Sequence, residues 1–176
     1  MGAYHRVVKR QLAPEILDSL PGDDPGALRS RRDLRLINFL MGNERWILKQ
    51  NYRGGVIELG AGEGKLTQKL AERGQVVGLD FQERPDDLEI PWLAGDLFQN
   101  LPEVEGETVV ANLILHHFRD DQLGQLGKLI RERRSLIAVE PWRSRISLAE
   151  GYVLWPLINR ITKHDMIVSI RAGFRN

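Results

Sequence analysis

Glu58, Gly60, Ala61, Gly62 and Gly64 stand in one short stretch, Glu58-Leu59-Gly60-Ala61-Gly62-Glu63-Gly64, between an apolar run and a segment of helical composition. Glycines at this spacing permit a tight turn and close backbone approach by a ligand, and the amides opening the following helix can receive a carboxylate or other polar group. Asp80 stands twenty residues beyond Gly60, followed by Phe81. A carboxylate at that spacing can accept two hydrogen bonds from a ribose diol. Gly95-Asp96-Leu97-Phe98 then sets a second carboxylate beside apolar side chains. An adenine ring wants that combination, a flat greasy slot with one acceptor for its exocyclic amine. His116 and His117 complete the set, because histidine can act as a base near neutral pH.

The glycine stretch nearly fits three nucleotide-binding patterns. A phosphate loop of the form G-x-x-x-x-G-K-[ST] ending at Gly64-Lys65 would need glycine at Leu59 and a hydroxyl at Leu66, and has neither. The dinucleotide pattern G-x-G-x-x-G started at Gly60 puts Lys65 where the third glycine belongs, which weakens that reading. What fits throughout is acidic-x-Gly-x-Gly-x-Gly. Dinucleotide enzymes share the Asp80 spacing, so it points to an adenosine-type ligand without choosing which one.

These residues need strands to carry them. After Gly55, short apolar runs alternate with helical segments, the mark of β-α-β units and a parallel sheet. Strands are predicted over 56–59, 76–79, 91–93, 108–113 and 135–139, with helices over 65–73, closed by Gly74, and 121–133, capped by Asp120 or Asp121. In such a sheet ligands bind beyond the carboxyl ends of the strands, and there the singled-out residues fall. The predicted class is α/β, Rossmann-like, a mostly parallel sheet with helices on both faces. Residues 1–53 read as an N-terminal helical cap. It comprises a short helix starting at Ala13-Pro14-Glu15, a turn over Pro21-Gly22-Asp23-Asp24-Pro25-Gly26, a helix over 27–41, an interruption at Gly42-Asn43, and a further piece around 46–48.

With 176 residues of which 42% are hydrophobic, the chain suits one globular domain, with 54–141 as its ligand-binding core and 142–176 as an acceptor lid and C-terminal part. A net charge of +1 provides no general attraction for nucleic acid or anionic membrane, although Arg29, Arg31, Arg32 and Arg35 make one segment basic. Cysteine is absent, which excludes disulfides, thiolate catalysis and cysteine-bound metal. The longest apolar stretch, 152–158, is far short of the roughly 18 residues of a membrane span. Met1-Gly2 is followed by Arg6 where an acylation signal wants Ser or Thr, and no secretory apolar core is visible, so a cytoplasmic protein is expected.

In their order, the glycine stretch, Asp80, Gly95-Asp96 and Ala111-Asn112-Leu113-Ile114-Leu115-His116-His117-Phe118 resemble the motifs of class I S-adenosylmethionine-dependent methyltransferases, across 56–141. The last run is similar to the fourth motif of members that methylate small molecules. Arg31-Arg32-Asp33-Leu34-Arg35-Leu36-Ile37-Asn38 with Met41-Gly42-Asn43, and Lys163-His164-Asp165-Met166 with Arg171-Ala172-Gly173-Phe174-Arg175, also resemble methyltransferases found beside bacterial type III polyketide synthases. The resemblance implies that Glu58, Gly60, Ala61, Gly62, Gly64, Asp80, Phe81, Asp96, Leu97, Asn112 and Leu113 bind S-adenosyl-L-methionine, with Asn112 near its methionine end. It further implies methyl transfer to a small-molecule acceptor, a phenolic or enolic oxygen or a carbon of a polyketide-like compound. Consecutive residues leaving a strand point apart, so one histidine faces the acceptor; His117 is favoured over His116, and either could instead fix the strand end. His164-Asp165 is a second base with its orienting partner, or a surface loop. No spacing marks a divalent metal site.

Leu115-His116-His117-Phe118 departs from the polar-Pro-Pro-aromatic motif of enzymes that methylate nucleobase or amide nitrogen, which favours an oxygen or carbon acceptor. The family's sheet also closes with a strand hairpin beyond the fifth strand. Here only a short strand over 167–170 is expected, followed by an Arg-rich end at Asn176. The missing hairpin would expose a sheet edge, read as truncation, as cover by a partner or a second copy of the chain, or as a minimal variant. The aromatic-rich segment 148–158 is an acceptor lid, core, or an oligomer contact. Two other functions stay open: a non-catalytic cofactor-binding interaction subunit, and an RNA methyltransferase using the N-terminal arginines.

Overall fold

The structure, a computed structural model, describes residues 9–21 and 23–175. Met1-Gly2 and Arg6, Gly22 of the predicted turn, and Asn176 lie outside the described residues. In chain order the elements are α1 (Pro25–Met41), α2 (Asn43–Leu48), β1 (Val56–Leu59), α3 (Lys65–Ala71), β2 (Val76–Asp80), β3 (Trp92–Ala94), α4 (Leu97–Asn100), β4 (Thr108–Asn112), α5 (Asp120–Ile130), β5 (Ser135–Val139), α6 (Arg145–Leu154) and α7 (Arg160–Ala172). Single 3-10 turns occupy Leu17–Ser19, Leu101–Glu103, Leu115–His117 and Trp155–Leu157. The chain forms two compact units, one of residues 42–139 and one of residues 1–41 with 140–176.

The first unit holds the sheet. Its five strands are all parallel in the order β3-β2-β1-β4-β5, with Leu59 of β1 opposite Leu79 of β2 and Ala111 of β4. Central β1 is buried along its whole length, as a strand covered on both faces must be, and its Val-Ile-Glu-Leu sequence is accordingly almost continuously apolar. Ile57, Leu59, Leu79, Val109 and Val110 are buried to 0% exposure and form the middle of the core. Helices α2 and α3 close it through Ile47, Leu66 and Leu70. This is the expected Rossmann-like architecture. Its chain path sets a switch point between β1 and β4, because the chain leaves β1 toward β2 and β3 and then crosses back to β4.

The second unit is helical. α1 and α7 are joined by a polar network: the Asn159 amide donates to Asp33 Oδ2 at 2.7 Å, its side-chain amide to the same oxygen at 2.9 Å, and Thr162 Oγ1 to Ser30 Oγ at 3.1 Å. Asp165 of α7 accepts the amides of Ile16 at 2.8 Å and Leu17 at 3.0 Å, which anchors the turn before α1. Among the described residues no helix is long and apolar enough to cross a membrane.

Several expected boundaries move. Residues 167–170 are not a strand but part of α7, which starts where Asn159 Oδ1 accepts the amides of Ile161 and Thr162 and buries Thr162, Asp165, Ile170 and Ala172 at helical spacing. Residues 13–15 start no helix; the turn comes at Leu17–Ser19. β3 begins at Trp92 rather than Pro91, since proline has no amide and enters the ladder only through its carbonyl, 3.0 Å from Gly78 N. α3 ends at Ala71, short of residue 73, and α5 at Ile130, short of 133. α5 also starts one residue early: its cap is Arg119, whose amide donates to Gln122 Oε1 at 3.0 Å, and not Asp120 or Asp121. β4 stops at Asn112, because Leu113 takes φ +59° and leaves the ladder.

Candidate functional site

At the carboxyl end of β1 the chain turns through Gly60, Gly62 and Gly64, all with positive φ of 56–70°. Such values are costly for any residue bearing a Cβ, which explains the glycine spacing. Space separates the three. A Cβ on Gly60 would lie 2.7 Å from Ile114 Cγ1 and one on Gly64 would clash with Leu88 Cδ2, whereas one on Gly62 would meet nothing within 4 Å. Gly60 and Gly64 are therefore glycine for packing, and Gly62 alone opens its backbone to an incoming group. Buried Ala61 donates its amide to Leu79 O at 3.1 Å and ties the loop to β2.

Asp80 ends β2 and braces this loop. Its Oδ2 accepts the Gly62 amide at 2.7 Å and its Oδ1 the Gln82 amide at 2.9 Å. Each carboxylate oxygen can accept more than one hydrogen bond, so both retain acceptor capacity toward a ligand hydroxyl. Phe81 beside it is 84% exposed. At the end of β3, Gly95 turns with φ +115° and donates to Asp80 O at 2.9 Å, which brings the β2 and β3 ends together. Asp96 caps α4 by accepting Phe98 N at 2.8 Å, and Leu97 opens that helix, half-buried. Phe98 packs edge-on against Phe118 with ring centroids 5.3 Å apart, so the α4 and β4 ends share one apolar wall.

Across the switch point, Asn112 ends β4 with its Oδ1 buried and no hydrogen-bond partner among the described residues. A buried amide oxygen left unmatched is costly and rare. Leu113, at φ +59°, is the one non-glycine described residue with positive φ, and its amide donates to Val139 O at 2.8 Å. A bulky residue held there is strained, and such strain gathers at functional sites. The twist seats Ile114 over Gly60, so the β4 loop meets the glycine loop. The following 3-10 turn separates the two histidines: His116 is 4% exposed and His117 is exposed, with ring centroids 4.2 Å apart.

Glu58 lies beneath the loop, 3% exposed, and accepts Thr67 Oγ1 of α3 at 2.6 Å. Burial pushes its carboxyl up to about 8; the Thr67 hydrogen bond opposes the rise, and nearby Glu44 and Asp80 add to it. The sequence offers Glu58 as a ligand contact but hides Thr67, its buried partner, and Trp92, which packs over Gly78 and donates Nε1 to Gln82 O at 3.0 Å. Glycine at 78, in the middle of a strand, was the available signal for that close approach. His164 lies in the helical unit, on α7 rather than on a loop, with Nδ1 2.9 Å from buried Asp165 Oδ1.

No protein-family model matches the chain, and no curated protein does. Among solved structures it is similar to the plantazolicin methyltransferase BamL in complex with a triazolic desmethylPZN analog and SAH, with a TM-score of 0.61 and 18% identity over 90% of this chain and 65% of that one. The plantazolicin methyltransferase BpumL follows at 0.57 and 13%, over 86% and 66%. The pyocyanin biosynthetic protein PhzM gives 0.59 and 19%, over 88% and 49%. The chain thus spans about two thirds of the length of BamL and half that of PhzM. What they share is the fold: this chain has the Rossmann-like fold of these methyltransferases.

Proposed function

We propose that this chain binds S-adenosyl-L-methionine at the carboxyl ends of β1, β2, β3 and β4 and catalyses methyl transfer to a small-molecule acceptor. One observation carries the reading: an open glycine backbone at Gly62 and a buried, unmatched acceptor at Asn112 stand at the ends of the two strands flanking the switch point. The SAH complexes of BamL and BpumL, proteins of the same fold, support the choice of donor. When bound, the donor supplies an electrophilic methyl group on a sulfonium, so the chain's main task is alignment. Gly60, Ala61, Gly62 and Gly64 shape the loop, Asp80 offers acceptors to a ribose diol, and Phe81, Leu97 and Asp96 offer apolar surface and an acceptor to adenine. Asn112 Oδ1 offers an acceptor to the methionine end, where the strained Leu113 backbone also stands.

The acceptor is a phenolic or enolic oxygen, or a carbon, of a polyketide-like compound. Its proton is taken by a ring nitrogen of exposed His117, while buried His116 supports the turn. BamL, a plantazolicin methyltransferase in complex with a triazolic desmethylPZN analog, has the same fold and supports a small-molecule or peptide acceptor, while the phenolic or enolic class rests on the residues at 115–118. Calorimetry with S-adenosylmethionine and with NAD tests the donor, and binding of NAD alone would overturn the proposal. With a phenol panel, His117→Ala should lose on the order of 100-fold or more in turnover. Unchanged turnover would return His117 to a structural role.

A further inference from the structure

The inner and outer faces of α1 are built for different neighbours. Ala27, Ser30, Asp33 and Ile37 are buried at three- and four-residue spacing, and Ser30 and Asp33 accept from Asn159 and Thr162 around the start of α7. The outer face carries Arg29, Arg32 and Arg35, all exposed. Between them stand Leu28, Leu36, Phe39 and Leu40, each 45–65% exposed. Residues 28, 32, 35 and 39 succeed one another at one-turn spacing, so arginine and apolar side chains share one strip. A helix face that meets only water is expected to mix both signs of charge and to set acids three or four residues from its arginines. Here the only acid of α1 is Asp33, which is buried and accepts from Asn159. The exposed residues of α1 also include no Lys, Glu, Asp, Ser or Ala, the types that protein interfaces avoid, whereas arginine and aromatic side chains are types they collect. Single exposed leucines are ordinary, but four large apolar side chains on one strip mark a surface in use.

We propose that the outer face of α1 docks an acidic amphipathic helix of a partner protein. Charge decides the occupant. A second copy of the chain would bring arginines against arginines if the two α1 helices ran parallel. Antiparallel, it would set Arg29 and Arg32 against the 36–40 half of the other helix, where no countercharge stands. An RNA backbone would answer the arginines and leave Leu28, Leu36, Phe39 and Leu40 in water. A membrane surface asks for an apolar face with the basic residues on the other side, and in α1 the other side is committed to α7 while the arginines stand within the apolar strip. A helix with leucines and carboxylates at three- and four-residue spacing answers both halves. Its leucines pack among Leu36, Phe39 and Leu40, and its carboxylates accept from the guanidinium forks of Arg29 and Arg32. This docking is independent of the donor-binding reading, because α1 carries none of the donor residues.

Fluorescence anisotropy of the whole chain with a synthetic helical peptide that repeats leucine and glutamate at i, i+3, i+4 and i+7 reads the docking, beside the same peptide with lysine for glutamate. The glutamate peptide should bind at least roughly tenfold more tightly, and its affinity should fall several-fold between about 50 and 500 mM salt. Arg29→Glu combined with Arg32→Glu should reverse the preference. Leu40→Ser should weaken binding of the glutamate peptide without changing the preference, which a purely ionic contact would not show. Donor affinity should be unchanged in both variants. Equal affinity for the two peptides, or binding of neither at low salt, overturns the proposal and needs no variant. A preference that persists in the double arginine variant overturns it as well, because the acidic peptide would then lie elsewhere. Tighter binding to phosphatidylserine vesicles or to single-stranded RNA than to the glutamate peptide would give the face to a membrane or to nucleic acid instead.

Discussion

Two carboxylates in this chain are almost equally buried and are treated in opposite ways. Asp165 in the helical unit, 2% exposed, accepts the Ile16 amide at 2.8 Å, the Leu17 amide at 3.0 Å and His164 Nδ1 at 2.9 Å. Glu58 in the sheet unit, 3% exposed, accepts one hydroxyl and has acidic neighbours. Burial by itself therefore does not say what a charge is for. A carboxylate that holds three donors of its own fold serves the fold, whereas one with a single hydroxyl donor and acidic neighbours costs stability when ionised.

The contrast predicts effects of opposite sign. Asp165→Ala leaves two amides and an imidazole without their acceptor and should destabilise by about 3 kcal/mol or more, read by urea unfolding. A loss below about 1 kcal/mol would break the comparison, because Asp165 would then be dispensable to its own network. Glu58→Gln should do the reverse. Burial pushes the folded carboxyl up to about 8 from its ordinary 4.5, so between those pH values the folded state holds the extra proton. The contribution of Glu58 is then fully present below 4.5 and is lost as pH rises toward 8. Glutamine has no such loss, so the variant should gain on the unaltered chain across this window, by roughly 3 kcal/mol at pH 7. Unfolding at pH 5 and pH 8 measures the gain, and equal differences at both would remove the contrast.

That a buried acid should cost stability also bears on what the sequence discloses. The glycine stretch, Asp80 and Asp96 were legible because each depends on local geometry: a loop needing positive φ, and carboxylates placed just after apolar runs. The parallel sheet followed from the alternation of β and α segments. Glu58 was visible as a motif residue, but its lack of a countercharge was not, because Glu44 and Asp80 reach it from separate elements. α7 was missed at 167–170 because Ile167, Val168 and Ile170 read alone as a strand, and the positions that reveal the helix, Thr162 and Asp165, are polar yet buried. Hydrophobic periodicity does not count them. The twist at Leu113 had no sequence signal, since leucine is unfavourable there and is held by the bond to Val139 and the seating of Ile114 on Gly60.

The polar network around the start of α7 sharpens the comparison at smaller cost. Asn159 starts α7 through its Oδ1 and donates twice to Asp33 Oδ2, by its backbone and side-chain nitrogens. Asn159→Ala removes the cap and the side-chain donor but keeps the backbone one, so Asp33 remains partly satisfied. A loss of about 2 kcal/mol is expected from urea unfolding, smaller than at Asp165. If the two variants cost the same, the number of donors lost does not set the scale of the effect.

The smallest effect on folding should come from the glycine of the loop with open space around it. Gly62 has φ +56° and nothing within 4 Å of the place a Cβ would take. Gly62→Ala therefore meets no steric obstacle and loses only the glycine advantage in the left-handed region, about 1 kcal/mol. Its amide still reaches Asp80 Oδ2, so the loop keeps its brace. Donor affinity should nevertheless fall at least roughly tenfold, because the added methyl group stands where backbone approach is needed. Calorimetry beside urea unfolding separates the two effects. Full donor affinity in a folded Gly62→Ala protein would mean that the open face of the loop is not where the donor lies. The unmatched acceptor at Asn112 would then have to be answered from another direction.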